Sequence, residues 1–153
     1  MKRIMFVCHG NICRSPMAEF IMKKIVDEAG KSGEYKIASS AVSTEEIGNP
    51  VYPPALTVLL ANGIRPFGKV AVQLSRKDLD EYDLFIGMDN SNIRGIHRIL
   101  GESCQGKVYK LLSFVGSDAD VDDPWYFGGF DKAYLNIYRA CVALFEKLEG
   151  GEV

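Results

Sequence analysis

Cysteine and histidine are scarce in this chain of 153 residues: four of the first, Cys8, Cys13, Cys104 and Cys141, and two of the second. Thiols so few and scattered make no disulfide framework. No pair of ligands is spaced against Cys8 and Cys13 to close a zinc site. Nowhere does the chain approach the roughly 18 to 20 apolar residues that a membrane-spanning helix needs. An excess of one charge is missing too: the formal net charge of −2 gives no basic surface for nucleic acid or acidic lipid. Repeats, low-complexity tracts and linkers are absent, so one domain over residues 1–153 is expected. The start, MKRIMFVC, is basic then apolar like a secretion signal. Its apolar part, Ile4 to Val7, is too short for one, and the expected setting is cytoplasmic, with thiols reduced.

What is present alternates short β-rich runs with amphipathic segments. Arg3 to Val7 is a compact apolar run suited to a buried parallel strand. After it, Met17, Phe20, Ile21 and Ile25 recur at helical spacing, with Ser15 as a candidate N-cap and Pro16 at the first helical position. YKIASS reads as a strand, Ser43 to Pro54 as a loop, and Leu56, Leu59 and Leu60 as part of a helix stopped by ANG. A short strand is expected near Val70 to Gln73 and a capped helix from Ser75. Asp83 to Met88 reads as a strand, DNSNIRGIHRIL as a helix, KVYKLL as extended chain, and Gly116 to Gly129 as an acidic loop. The last helix places Phe130, Tyr134, Ile137, Cys141, Leu144 and Leu148 on one face. This alternation predicts an α/β fold with a mainly parallel sheet. In such sheets ligands bind beyond the C-terminal strand ends, where the loop after the first strand lies.

That loop, VCHGNICRSP (residues 7–16), carries the chemistry. Cys8 and Arg14 stand as Cys-x5-Arg, a spacing that chance supplies in about one such chain in five. Context sharpens it: the Cys ends a strand, the Arg precedes a helix, and a tight turn joins them. Backbone N–H groups of such a turn converge on an anion, aided by the helix N-terminus. Arg14 offers a planar fork for phosphoryl oxygens, and the same field favours a thiolate nucleophile at Cys8. The plainer reading of Cys8 is a small buried hydrophobe. A thioredoxin-like pair would be C-x-x-C rather than C-x4-C, and no G-x-x-x-x-G-K-[ST] is present.

Phosphoryl transfer to a cysteine also needs a group that protonates the leaving oxygen and later activates water, work that one carboxylic acid does in succession. GSDADVDDPWYFGG offers Asp118, Asp120, Asp122 and Asp123. Pro124 stiffens the position of Asp123, and Trp125 and Tyr126 are candidates for the wall of a pocket for a planar group, or else core aromatics.

Together these residues resemble the low-molecular-weight protein tyrosine phosphatase family. VCHGNICRSP resembles its V-C-x-G-N-I-C-R-S-P signature, DDPWY its late Asp-Pro-aromatic-aromatic motif, and EIGNP and MDNSN other family segments. The resemblance implies a three-layer fold, a four-stranded parallel sheet with helices on both faces, and hydrolysis of phosphomonoesters without metal or other cofactor. It implies phosphate held by residues His9, Gly10, Asn11, Ile12, Cys13 and Arg14, with Cys8 forming a phosphocysteine and Asp123 acting as acid, then base. Asn11 would hold the loop in shape, Ser15 would hydrogen-bond the Cys8 sulfur, and Cys13 would form a reversible disulfide with Cys8 under oxidation. The implied partner is a tyrosine-phosphorylated protein, with no nucleic acid or membrane, and the protein itself a monomer or weak dimer.

The chain departs from the family pattern in three places. Glu45 stands where an aromatic is common, Tyr52 and Pro54 where D-x-R often follows, and Lys69 and Val72 where H-x-A-R-Q has His and Arg. These bear on substrate preference rather than on nucleophile, clamp or acid. Arsenate reductases on the same fold use two further nearby cysteines, and only Cys104 and Cys141 remain here. Protein arginine phosphatases typically carry Thr at the place of Ile12 and one Phe after Asp-Pro, so Ile12 with Trp125 and Tyr126 favours aryl phosphate. A phosphocysteine carrier module, the non-enzymatic alternative, is ill served by Arg14 and Asp123, because a carrier must keep its phosphocysteine intact.

Overall fold

The computed structural model of the chain describes residues 1–153. Four strands, β1 (Lys2–Cys8), β2 (Tyr35–Ala41), β3 (Leu84–Gly87) and β4 (Val108–Lys110), form one sheet in the order β2-β1-β3-β4. Every pairing is parallel. The chain steps from β1 outward to β2 and then returns to β3 on the other side. The C-terminal end of β1 therefore lies at the point where the winding reverses, the crevice in which such sheets take ligands.

β1 is apolar on both faces because both are covered. Ile4, Phe6 and Cys8 point into a large core with α1 (Arg14–Glu28) and α6 (Phe130–Glu149). Met5 and Val7 point the other way, into a smaller core with α4 (Asn90–Leu100). The helices follow their patterns: α1 buries Met17, Ala18, Ile21, Met22 and Val26, and α6 buries Tyr134, Ile137, Cys141, Leu144 and Leu148. Gly95 allows α4 to lie close to the strand layer, since a Cβ there would meet Val42 Cγ1 at 2.7 Å. α4 opens with a capping box, in which Asp89 Oδ1 accepts from the Asn92 N–H at 2.8 Å. No helix is long and apolar enough to cross a membrane.

Local expectations are corrected at several points. The run 70–73 is no strand: it makes only isolated bridges, Pro50 to Val70 and Ala41 to Gln73. Its amides are divided among separate partners, Ala71 N–H to Asn49 O and Val72 N–H to the Asn11 side chain, so no ladder propagates. Ser75 does not cap a helix there. α3 is one turn, Asp78–Glu81, and Ser75 donates its backbone N–H to Asp78 Oδ2 at 2.9 Å. The loop from Ser43 ends at Tyr52, since α2 spans Pro53–Ala61. The acidic loop contains a further turn of helix, α5 (Pro124–Phe127).

Candidate active site

β1 delivers Cys8 to the C-terminal edge of the sheet, and α1 starts at Arg14 with Cys13 in the N-cap position. No side chain caps α1, so its first N–H groups remain available to an anion held in the loop. The turn between them needs one unusual backbone: Asn11 has φ 59°, a left-handed conformation that asparagine tolerates better than most residues. That twist aims the Asn11 N–H at Cys8 Sγ, 3.3 Å away. Ser15, expected as an N-cap, lies inside the first turn of α1 instead. Its hydroxyl turns inward to Cys8 Sγ at 2.9 Å, so the sulfur takes its place in the helix's polar end.

Beneath the loop runs a chain of buried hydrogen bonds whose direction is fixed. The Val72 N–H can only donate, so Asn11 presents its oxygen there (3.1 Å) and its amide nitrogen the other way. That nitrogen donates to Ser15 Oγ at 2.8 Å and to Ser39 Oγ at 2.9 Å. The Ser39 hydroxyl in turn donates to Glu19 Oε1 at 2.6 Å. Glu19 is 5 % exposed and is answered by Lys23 at 2.6 Å and Lys69 at 3.7 Å. Burial pulls the pKa of Lys69 down, with Glu19 resisting.

Arg14 is 2 % exposed. Its Nη1 donates to Asp89 Oδ2 at 2.7 Å and to the Val121 carbonyl at 2.8 Å, and its Nη2 to Asp123 Oδ2 at 3.3 Å. Burial opposes its charge, but Cys8, Asp89 and Asp123 outweigh that and hold its pKa above the ordinary value. Asp123 also caps α5, with Oδ1 accepting from the Trp125 N–H at 3.0 Å. The Cys13 thiol is pushed upward, first by burial and then by Cys8 beside it.

One pocket is lined by Cys8, His9, Gly10, Ile12, Cys13, Arg14, Asp123, Trp125 and Tyr126 together with Glu45 and Glu46. Every residue expected at the site from sequence lies on it or, for Asn11 and Ser15, directly under it. Trp125 and Tyr126 are exposed, at 47 % and 70 %, not core aromatics. Trp125 leans on Tyr52, with ring centroids 4.5 Å apart. Asp118 and Asp120 stay outside the pocket, and Lys110 binds the carbonyl of the first and the carboxylate of the second. Cys104 is buried in the smaller core and Cys141 between α6 and α1. Sequence reasoning missed Asp89, Glu19, Ser39 and Glu46 as site residues. Asp89 had a signal, since it follows β3 at the same sheet edge as Cys8.

A thiol, a buried guanidinium and a carboxyl group converge here at a helix N-terminus, an arrangement suited to an anion held above the sulfur. The model of one family, low molecular weight phosphotyrosine protein phosphatase, matches residues 3–152. The chain belongs to that family of hydrolases. A low molecular weight protein-tyrosine-phosphatase of Bacillus subtilis, YfkJ, is 37 % identical over 151 residues, 97 % of each chain. Its crystal structure superposes with a TM-score of 0.95, covering 100 % of this chain and 98 % of that one at 35 % identity. The human low molecular weight phosphotyrosine protein phosphatase is 35 % identical over 144 residues, 92 % of this chain and 89 % of that one. A Drosophila arginine phosphatase shares the fold at a TM-score of 0.88 and 28 % identity, covering 97 % and 98 % of the two chains. The family's phosphotyrosine phosphatase activity is thus the function of this chain.

Proposed function

We propose that catalysis runs through a phosphocysteine on Cys8, within one domain of the low molecular weight phosphatase type. The observation that carries this is the setting of the sulfur: Cys8 Sγ accepts from the Asn11 N–H and lies 2.9 Å from the Ser15 hydroxyl in the pocket that also holds Arg14 and Asp123. Donors aimed at sulfur stabilise a thiolate. The thiolate attacks phosphorus and the bond to the aryl oxygen breaks. That oxygen leaves with its electron pair and takes a proton from Asp123. The Asp123 carboxylate then removes a proton from water, the oxygen attacks phosphorus, and the S–P bond breaks to release phosphate and restore the thiolate.

Arg14 and the backbone of residues 9–14 hold the phosphoryl oxygens through both steps, and Trp125 and Tyr126 flank the aryl ring. No step calls on a metal or other cofactor. Oxidation by a peroxide converts Cys8 to a sulfenic acid, which Cys13 attacks with loss of water to give a disulfide that thiols reverse. The working setting we assign is the reducing cytoplasm, the partner a tyrosine-phosphorylated protein, and the oligomeric state a monomer or weak dimer.

The test compares phosphotyrosine, phosphoarginine and arsenate as substrates of the wild type and of Cys8→Ser. Phosphotyrosine hydrolysis that disappears in Cys8→Ser supports the reading. Retained activity in that variant, or turnover confined to phosphoarginine or to thiol-coupled arsenate reduction, overturns it.

A further inference from the structure

The two walls of the pocket differ in chemistry. One shows the rings of Trp125 and Tyr126, the other the carboxylates of Glu45 and Glu46. The Glu45 side chain is 67 % exposed, and its partner is His9, Nε2 to Oε2 at 3.1 Å. Glu46 Oε2 accepts from the neutral Asn49 amide at 2.6 Å, which leaves its charge uncompensated. The one guanidinium in the pocket, Arg14, is already paired with Asp89 and Asp123. Beyond Asp123 a second groove continues from His9 and Tyr126 past Asp122, with Arg94 as the only cation it adds.

A phosphotyrosine presents its dianion to the floor of this pocket while its main chain stays at the rim. The flanking residues of the substrate therefore meet Glu45, Glu46 and the exposed aromatic faces, not the anion seat. Both features attract cations: carboxylates by charge, with Arg able to pair in its own plane, and Trp and Tyr faces through their negative π-clouds. Acidic flanks meet repulsion from the first and nothing from the second. We propose that Glu45 is a specificity-determining residue, and that this phosphatase selects phosphotyrosine in segments with Lys or Arg beside it. The inference rests on the phosphotyrosine reading above and names its substrate class more narrowly.

The experiment measures kcat/KM for phosphotyrosine peptides of one length, with Lys/Arg or Asp/Glu flanks, beside para-nitrophenyl phosphate, which has no flanks. Expected is a preference of about fivefold or more for the basic peptide at low salt, the scale of one or two exposed charge pairs. It should shrink toward unity as salt shortens the Debye length to about 3 Å near 1 M. Glu45→Gln should narrow the basic-to-acidic ratio and Glu45→Lys should invert it. Equal use of both peptides, or a ratio unmoved in Glu45→Lys, overturns the proposal while para-nitrophenyl phosphate is still hydrolysed. Failure to hydrolyse any of the three overturns the phosphatase reading beneath it as well.

Discussion

Arg14 and Asp89, 75 positions apart in the chain, meet at 2.7 Å between Nη1 and Oδ2. The guanidinium is held by the residue that also caps α4, so the clamp is anchored to the helix after β3 and not only to its own loop. Asp89→Asn keeps a good cap but removes the charge facing a buried arginine. It should cost about 2 kcal/mol, less than losing the sole partner of a fully buried charge because Asp123 remains. Asp89→Ala should cost about 1 kcal/mol more by losing the cap. Urea denaturation of the two variants checks both values.

Asp123→Asn keeps the cap of α5 and leaves a side chain with no acidic proton to give. kcat for an aryl phosphate with a poor leaving group should fall about a hundredfold or more, with KM little changed. An activated leaving group such as a nitrophenolate should suffer less. Steady-state kinetics across a series of phenols decides this.

Ser15→Ala removes a hydroxyl from the Cys8 sulfur without touching a cap. A hydrogen bond to a charged atom is worth about 1.5 to 3 kcal/mol, so kcat should drop by about tenfold or more. Alkylation of Cys8 by iodoacetamide should slow in parallel. Ser15→Thr, which keeps the hydroxyl, should recover part of both.

Glu149 near the end of α6 accepts from Lys31 at 2.6 Å and from the Tyr35 hydroxyl at 2.6 Å, with Lys2 at 3.5 Å. These donors, Lys31 first, lower its pKa to about 2 from an ordinary 4.5. A carboxylate lowered in the folded state stabilises it above the unfolded value and loses that contribution as pH falls through the folded one. Glu149→Gln should therefore lower Tm at pH 7, and its difference from wild type should close between about pH 4.5 and 2. Thermal melts at stepped pH give the answer.

β1 and the Cys8–Arg14 loop were readable because their signals are local: an apolar run, a glycine turn, then Pro16 opening a helical period. Asp123 was readable because Pro124 and two aromatics mark it out from its acidic neighbours. Glu19 and Ser39 were not, since an i,i+4 Glu–Lys pair on a helix and a serine in a strand look like ordinary surface and filler. Only the register that sets Phe6 beside Ser39, under α1, gives those residues their place. For Ser15 the local pattern points to a cap, which it is not, whereas the resemblance points to the Cys8 sulfur, a partner seven residues away that comes near only when the loop closes. The strand expected at 70–73 fails for a related reason: the short apolar run is present, but it meets only the last residue of β2, a loop and an asparagine side chain, too little for a ladder.

Glu19 lies two serines and an asparagine away from the sulfur, at the far end of a line whose sense the Val72 N–H sets at Asn11. As long as it is ionised it must be donated to, so Ser39 turns its proton outward and receives from Asn11 in turn. Asn11 then fills Ser15 from the other side, and the last proton in the line has the sulfur as its nearest acceptor. A neutral glutamine at 19 would preserve shape and packing but, with its amide nitrogen turned inward, would leave the Ser39 proton without its acceptor. Substitutions that spare every pocket-lining residue can thus disturb the seat of the sulfur from beneath, by unsettling one end of the line that holds Asn11 and Ser15.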